Sequence, residues 1–277
     1  MKDIKDKIIL ITGGGSGIGR LMALAFAEKK AKVIIWDINN EAIKALENEA
    51  GEKKLFIKGM VCDVSNRENV YNQAKKLTDS YGNIDILINN AGVVSQKGSE
   101  TVPGPYFLST PDERISKTIE INTLSLFWTC KAFLPSMIER NSGHIVTVSS
   151  AAGIIGVKGL ADYCAGKFGA FGFNESLRMD LKRMKSAIKT TIICPFFIDT
   201  GMFEGVKTRF SIVLPILKSK YATRKIVSAV LRNKKILIMP RFVFTVFLLR
   251  ILPTCVLDWA ANFFGISHAM DDFRGRT

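Results

Sequence analysis

IILITGGGSGIG, residues 8–19, joins an apolar run directly to a glycine-rich turn. The next residues, Ile18–Lys29, have the apolar periodicity of a helix, so the turn lies between a strand and a helix N-terminus. The bare backbone amides at a helix N-terminus can bind a pyrophosphate. The alternative is that the glycines only make the turn flexible. The glycines follow a G-x-x-x-G-x-G spacing rather than the strict G-x-G-x-x-G. This stretch predicts a dinucleotide site with contacts from Gly13, Ser16, Gly17, Ile18 and Gly19.

Apolar runs bounded by turn residues recur along the chain and alternate with helical periodicity. The predicted strands are Ile8–Thr12, Lys32–Asp37, Leu55–Val61, Ile84–Asn89, His144–Ser149, Lys189–Cys194 and Ile236–Met239. The predicted helices include Ile18–Lys29, Glu41–Ala50, Glu68–Tyr81, Glu113–Met137 and Tyr163–Met184. This alternation indicates a Rossmann-type, doubly wound parallel α/β sheet of about seven strands with right-handed crossovers. We expect one domain over residues 1–240 and a C-terminal helical appendage over residues 241–277.

The composition is that of a globular protein, but its charge is unevenly distributed. Of the formal net charge of +14, residues 205–277 carry +10, from thirteen Lys and Arg against three Asp. This excess predicts an anionic partner, either a membrane surface or a nucleic acid. Nucleic acid is disfavoured because the basic residues lie among aliphatic positions. The five cysteines include no CxxC pair, and no signal peptide precedes the first strand, so we expect no metal and a cytoplasmic location.

Asp37 ends the second predicted strand, eighteen residues beyond Gly19. A carboxylate at this place can accept both ribose hydroxyls of NAD and would repel the 2′-phosphate of NADP. No Lys or Arg lies within the glycine turn to attract that phosphate. The sequence therefore predicts NAD as cofactor, although an aspartate that merely ends a strand is the alternative.

Tyr163 and Lys167 are four residues apart on a predicted helix, so both project from one face. A phenol titrates near pH 10, but a neighbouring ammonium and a positive nicotinamide would lower its pKa. Tyr163 could then take or return the proton of an alcohol. The same spacing occurs by chance on many helices, so the pair needs support from its context.

That context resembles the short-chain dehydrogenase/reductase family over nearly the whole chain. The matching pieces, in order, are Thr12–Gly19, Asp63-Val64, Asn89-Asn90-Ala91-Gly92, Asn122, Ser149-Ser150, Tyr163-x-x-x-Lys167 and Pro195. The resemblance implies that Asp63 and Val64 hold the adenine and that Asn90 and Gly92 pack near the ribose. It also implies a catalytic tetrad of Asn122, Ser150, Tyr163 and Lys167.

The resemblance assigns a role to each member of the tetrad. The family's serine lies thirteen residues before its tyrosine, which selects Ser150 over Ser149, and its hydroxyl would hold the substrate oxygen. Lys167 would bind the ribose hydroxyls, and Asn122 would anchor a water in the proton relay. Pro195, Ile198 and Thr200 match the stretch that receives the nicotinamide carboxamide, but Phe196 replaces the family's usual glycine.

Several stretches resemble one branch more closely: Ala132–Met137, Gly159–Cys164, Cys194–Gly205 and His268–Asp271. They are similar to the membrane-associated epidermal retinal (retinol) dehydrogenases and the related 17β-hydroxysteroid dehydrogenases, which implies a long apolar alcohol such as all-trans-retinol as substrate. Since Met1–Lys7 leads directly into the first predicted strand, we expect the chain to differ from the branch in its hydrophobic N-terminal anchor. Its Ser95–Pro111 loop, with Pro103-Gly104-Pro105, is also longer.

The predicted function is therefore an NAD-dependent oxidoreductase that interconverts a retinol-like or steroid-like alcohol and its aldehyde or ketone. One alternative is an NAD(P)H-dependent reductase of oxoacyl or small ketone substrates. Another is a non-catalytic regulatory protein that kept the dinucleotide fold. We expect a homodimer or homotetramer.

Arg241–Ile266 is rich in aromatic and aliphatic residues. Charges and Pro253 interrupt it, and its uncharged runs fall short of the ~20 apolar residues that a spanning helix needs. Such a basic, apolar tail could lie on an anionic membrane surface. The alternative is a hydrophobic lid or a dimer contact.

Overall fold

The computed structural model describes residues 3–94 and 106–273, and within these ranges seven strands form one parallel sheet. The strands are β1 (Ile8–Thr12), β2 (Lys32–Asp37), β3 (Ile57–Val61), β4 (Ile86–Asn89), β5 (His144–Val148), β6 (Lys189–Pro195) and β7 (Ile236–Met239). Their order in the sheet is β3-β2-β1-β4-β5-β6-β7. The predicted doubly wound α/β fold is confirmed, and each predicted strand overlaps an observed one.

The helices of the described part are α1 (Gly17–Ala27), α2 (Asn40–Glu52), α3 (Arg67–Tyr81), α4 (Asp112–Ile119), α5 (Ser125–Glu139), α6 (Ala161–Arg183), α7 (Ser219–Leu231), α8 (Thr245–Leu249) and α9 (Thr254–Phe263). Helix α7 was not among the predicted helices. Residues 95–105 of the Ser95–Pro111 loop, including its Pro-Gly-Pro, lie outside the described residues, as do Arg274 and Arg276 of the basic tail.

The central strands such as β1 and β4 are buried on both faces of the sheet, which explains why they are nearly continuous apolar runs, whereas the edge strand β3 is partly exposed. Residues of α1, α2 and α7, such as Phe26, Leu46 and Ile226, form the core on one face. Residues of α3, α5 and α6, such as Leu77 and Phe133, form the core on the other face. The carboxyl ends of the strands therefore form one edge that the helices leave uncovered.

The strand order reverses between β1 and β4. From β1 the chain proceeds outward through β2 and β3, and it then returns to β4 and proceeds the other way. The loops that leave β1 and β4 diverge, which opens a crevice at the carboxyl edge of the sheet. The glycine-rich turn directly follows β1 and thus lies in this crevice.

The region predicted as a single helix over Glu113–Met137 is interrupted. Between α4 and α5, residues Glu120–Leu124 form a π-helical turn that contains Asn122. Here the Ser125 hydroxyl donates to the carbonyl of Ile121 at 2.6 Å, a side-chain bond that competes with the backbone ladder. The prediction of one regular helix was wrong because such a turn has no apolar periodicity of its own.

The C-terminal residues described, 241–273, pack against the sheet beside β6 and β7. Val243 and Val246 join the apolar cluster of Ala151, Ile154 and Ile238. Among the described residues, no helix is at once long enough and apolar enough to cross a membrane.

Candidate active site

A cleft of about 310 Å³ opens where the strand order reverses. Its walls contain every residue predicted to contact the dinucleotide: Gly13, Ser16, Gly17, Ile18, Gly19, Asp37, Asp63, Val64, Asn90, Gly92, Tyr163, Lys167, Pro195, Ile198 and Thr200. Ser150 also lines the cleft. Asn122 is not among the lining residues. Residues that are as far apart in the chain as Gly13 and Thr200 therefore face one space.

The glycine-rich turn provides a cradle that side chains would fill. Gly13 and Gly17 have φ values of +63° and +53°, which favour glycine. A Cβ on Gly19 would lie 2.1 Å from the carbonyl oxygen of Gly13. Helix α1 starts here without an acidic residue in its first turn, so its N-terminal amides suit an anion. The chain thus fits the pyrophosphate of a dinucleotide.

Asp37 fixes the glycine turn as well as lining the cleft. Its Oδ2 accepts a hydrogen bond from the Gly15 amide at 2.8 Å, and its Oδ1 accepts one from the Asn39 amide at 3.0 Å. Each carboxylate oxygen retains a further lone pair. The carboxylate can therefore hold the turn and still accept from a ribose hydroxyl.

The distal end of the cleft contains Lys117, which the sequence analysis missed. Lys117 Nζ lies 3.2 Å from Asp63 Oδ2 and also contacts the Ser65 hydroxyl. Burial would raise the pKa of Asp63, but the hydrogen bonds from Ser65 and Lys117 outweigh it and lower that pKa. Asp63 is therefore an anion at neutral pH. No local pattern links Lys117 to Asp63, because 54 positions separate them.

Asn90 connects the glycine turn to the strand beside it. The backbone amides of Asn90 and Ala91 both donate to Thr12 Oγ1 at 3.0 Å. The Asn90 side-chain amide donates to the carbonyls of Thr12 and Gly13 at 3.0 and 3.1 Å. The role of Asn90 is thus to hold the turn in place from the β4 side.

Asn122, in the π-helical turn, is buried and bonds to the segment that follows β4. Its Oδ1 accepts from the Val93 amide at 2.9 Å, and its Nδ2 donates to the Val93 carbonyl at 2.8 Å. A Cβ on Gly92 would lie 3.1 Å from both Asn122 Oδ1 and Lys167 Nζ, so a side chain here would require these two groups to shift by a few tenths of an ångström.

Tyr163 and Lys167 project from the same face of α6, and both are buried. Lys167 Nζ lies 5.6 Å from the Tyr163 ring centre and donates to the Val148 carbonyl at 3.1 Å. Burial lowers the pKa of Lys167 to about 8. Burial also raises the pKa of Tyr163, against a hydrogen bond with Ser150 that lowers it. Burial, and not Lys167, thus dominates the pKa of Tyr163.

The two serines after β5 face different surroundings. Ser149 is buried, and its hydroxyl donates to the Lys167 carbonyl at 2.8 Å. Both serines line the cleft, but of the two only Ser150 also lines the adjoining apolar cavity, and its Oγ accepts from the Ala152 amide at 3.1 Å. Ser150 is therefore placed to meet a substrate together with Tyr163.

A second, apolar cavity of about 50 Å³ adjoins the cleft. Both cavities share Ser150, Tyr163, Phe196 and Phe203 as wall residues. Helices α8 and α9 and the residues after them form the far wall through Val246, Leu249, Leu257, Ala260, Ala261, Phe264 and Ile266. The large cleft and the apolar cavity thus share Tyr163 as a wall residue.

The segment of residues 244–263, which includes α8 and α9, exposes several apolar side chains to solvent. The exposed side chains are Phe244, Phe247, Leu248, Ile251, Leu252, Trp259 and Phe263, with Ile251 80% and Leu248 68% exposed. Arg241 and Arg250 are exposed among them. We call this the outer C-terminal face. The segment that forms the far wall of the cavity therefore also carries exposed apolar side chains.

Known proteins are similar to this chain over nearly its whole length. A model described as short chain dehydrogenase matches residues 7–209. Epidermal retinol dehydrogenase 2 of Homo sapiens is 46% identical over 277 residues, which cover 98% of this chain and 86% of that protein. Short-chain dehydrogenase/reductase family 16C member 6 of Bos taurus is 45% identical over 277 residues, covering 98% and 84%. Retinol dehydrogenase 10-B of Danio rerio is 40% identical over 296 residues, covering 98% and 86%.

Solved structures share the fold. A short-chain dehydrogenase/reductase from Burkholderia phymatum in complex with NAD superposes with a TM-score of 0.78 at 22% identity, over 91% of this chain and 95% of that one. A metagenomic short-chain oxidoreductase in complex with NADP superposes with a TM-score of 0.68 at 22% identity, over 83% and 92%. These neighbours carry either dinucleotide.

Proposed function

The chain belongs to the short-chain dehydrogenase family, and from this premise we propose that it interconverts a hydrophobic alcohol and its aldehyde or ketone with NAD. Its membership makes it an alcohol dehydrogenase-type oxidoreductase that binds a nicotinamide dinucleotide. The observation that carries the proposal is the meeting of the dinucleotide cleft and the apolar cavity at Tyr163. A group that moves a proton belongs where cofactor and substrate meet.

Tyr163 is the proposed acid and base. A nicotinamide held in the cleft would supply the hydride acceptor for the alcohol carbon, or the hydride donor in the reverse direction. Tyr163 Oη takes the hydroxyl proton during oxidation and donates it during reduction, while Ser150 holds the substrate oxygen. The raised pKa keeps the phenol protonated at neutral pH, which suits carbonyl reduction, and alcohol oxidation should gain rate as pH rises.

Lys167 and Asn122 support Tyr163 in different ways. Lys167 uses one hydrogen bond on Val148 and would turn its remaining donors to the ribose hydroxyls. Asn122 orders Val93 and the neighbouring Gly92, against which Lys167 packs. We propose that Asn122 acts mainly by fixing the backbone conformation of Gly92 and Val93.

NAD is proposed over NADP on the strength of Asp37. Its carboxylate lies in the cleft wall with its orientation fixed by Gly15 and Asn39. A 2′-phosphate brought beside this anion would be repelled.

A hydrophobic alcohol is proposed because the cavity beside Tyr163 is almost wholly apolar and because the relatives named above include retinol dehydrogenases. At about 50 Å³ the cavity is narrow, so a retinol-like or steroid-like molecule must displace aromatic side chains of its wall.

We propose that residues 241–277, as an appendage to the domain of residues 1–240, bind an anionic lipid surface. The outer C-terminal face combines exposed aliphatic and aromatic side chains with Arg241 and Arg250, the pattern of a helix pair that lies in the interface plane. The homodimer or homotetramer remains a prediction.

The test of the reaction is a panel of retinol, steroid and medium-chain alcohols, assayed by the absorbance of the reduced cofactor with NAD and with NADP. We expect turnover of the apolar alcohols with NAD. Reduction of oxoacyl thioesters or small ketones with NADPH alone would contradict the proposal and favour the reductase alternative. Dinucleotide binding without turnover of any substrate would favour a regulatory protein.

A further inference from the structure

The chain between β6 and α7, residues 196–218, covers the place where the two cavities meet; we call it the lid loop. Its ends are tied together, since Ile198 pairs with Leu217 and the Leu217 amide donates to the Phe197 carbonyl at 2.8 Å. Between these ends Phe203 lies in the walls of both cavities. The lid loop thus brings an aromatic ring to the reaction site.

The Phe203 ring packs directly on Tyr163. The two ring centres are 5.7 Å apart and the planes are nearly perpendicular, at 79°. This edge-to-face geometry is attractive and restricts both rings. The position of Phe203 therefore affects the space beside the Tyr163 hydroxyl.

Residues 268–273, which we call the C-terminal strap, pack against the lid loop from the other side. Phe273 is 5% exposed, and its ring centre lies 6.2 Å from that of Phe203. Ala269 and Met270 belong to the same buried cluster as Tyr163, and the Lys207 amide donates to the Ala269 carbonyl at 3.3 Å. Phe273, Phe203 and Tyr163 thus form a row of three rings.

Ion pairs also join the strap to the segments that flank the site. Lys207 pairs with Asp272 at 2.7 Å, and Lys158 pairs with Asp271 at 3.2 Å. All four side chains are at least 44% exposed, so each pair contributes little to the position of the strap. The buried Phe273 ring is the stronger contact.

We propose that Phe273 is a positioning residue that holds Phe203 against Tyr163 and so determines how well the substrate is held. This rests on the proposed function of Tyr163. Without the Phe273 ring, Phe203 keeps its contact with Phe197, whose ring centre is 5.1 Å away, but it loses its support from the strap and gains freedom to turn into the space beside Tyr163. No strap residue lines the dinucleotide cleft, and although Phe203 does, the bonds that fix Asp37 and the glycine turn do not involve it, so the Kd for NAD should stay the same.

The test compares Phe273→Leu, which removes the ring, with Phe273→Tyr, which keeps it. The matched control is Phe133→Leu, since Phe133 is 2% exposed and packs on Trp36 remote from the strap. We expect Phe273→Leu to raise the KM for the alcohol about two- to tenfold, the range that an aromatic pair contributes. The Kd for NAD should be unchanged, and Phe273→Tyr should behave like the unmodified chain.

A second readout does not depend on turnover. Hydrogen exchange of the amides of residues 200–206 should be several times faster in Phe273→Leu than in Phe133→Leu. Unchanged exchange and unchanged KM in a folded Phe273→Leu would overturn the proposal, as would an equal rise of KM in Phe133→Leu. If the unmodified chain turned over no alcohol, the proposed function would fail, while the exchange result would still decide whether the strap holds the lid loop.

Discussion

The ammonium of Lys167 lies 5.6 Å from the centre of the Tyr163 ring, with both side chains buried against the same cleft. Burial affects the two groups in opposite directions, because it disfavours charge on each: it raises the pKa of Tyr163 and lowers that of Lys167 to about 8. At neutral pH the pair is thus a neutral phenol beside a cation.

Tyr163→Phe should lower the rate of turnover by about 10²- to 10⁴-fold, the usual contribution of a general acid or base. The ring contact with Phe203 is kept, so melting temperature and NAD affinity should not change. Steady-state kinetics and a thermal melt check this, and undiminished turnover would refute the assigned role.

Lys167→Met should abolish turnover but stabilise the fold at neutral pH. Because the pKa of Lys167 falls from 10.5 to about 8 on folding, the unfolded chain binds this proton more strongly. The free energy of unfolding should rise as pH goes from about 8 to about 10.5, and Lys167→Met should lose that rise. At pH 7 the free energy of unfolding of Lys167→Met should exceed that of the unmodified chain by at most about 3 kcal/mol.

Denaturant unfolding without cofactor at the two ends of this pH interval measures the effect. Lys182→Met on the same helix serves as the control, since Lys182 is exposed and should show no such change. A Lys167→Met variant that is less stable than the unmodified chain at pH 7 would contradict the burial argument.

Asp37→Asn should reduce the preference for NAD over NADP, by about tenfold or more, because it removes the charge but keeps an oxygen for the Gly15 amide. Adding Ile38→Arg should improve NADP use further. Ile38 also lines the cleft and is 67% exposed, so an arginine there can reach a phosphate without disturbing the core. The ratio of kcat/KM values for the two cofactors checks this. An unchanged ratio in both variants would remove Asp37 as the determinant.

Gly19→Ala should abolish NAD binding, because its Cβ would collide with the Gly13 carbonyl. Gly51→Ala is the matched control: it lies in α2, and its Cβ would meet nothing within 4 Å. The control should bind NAD normally and gain about 0.5–1 kcal/mol in stability from the better helix propensity of alanine. Titration with NAD and thermal melts separate the two. Equal NAD affinities would show that the turn does not hold the cofactor.

Leu248→Glu combined with Ile251→Glu should reduce binding to anionic vesicles by at least about tenfold, since two exposed apolar side chains are lost from the outer C-terminal face. Met184→Glu is the control, because Met184 is 56% exposed but lies at the end of α6. Cosedimentation at low and high salt separates the charge contribution from the apolar one. No vesicle binding by the unmodified chain at low salt would leave a lid or a dimer contact as the role of this face.

The local sequence was sufficient to predict those features that depend on a single strand or turn. Each of the buried strands is a nearly continuous apolar run, and the glycine turn follows β1 without interruption, so both could be predicted. The π-helical turn could not, because it has no apolar periodicity of its own, and the Asn122–Val93 bonds that start from it join residues 29 positions apart. The contact of Lys117 with Asp63 and the wall that α8 and α9 form beside Tyr163 are equally long-range. Residues of such contacts carry no pattern within their own segments.

The short segment from Asn90 to Val93 bonds to Thr12 and Gly13 at one end and to Asn122 at the other. Cofactor selection and proton transfer consequently share one piece of backbone. A mutation that reshapes the glycine turn will be transmitted to the neighbourhood of Lys167, so the two properties cannot be altered independently. Because Asp37 itself holds this turn through the Gly15 amide, a change of cofactor made at Asp37 should be checked for its effect on the rate of proton transfer as well.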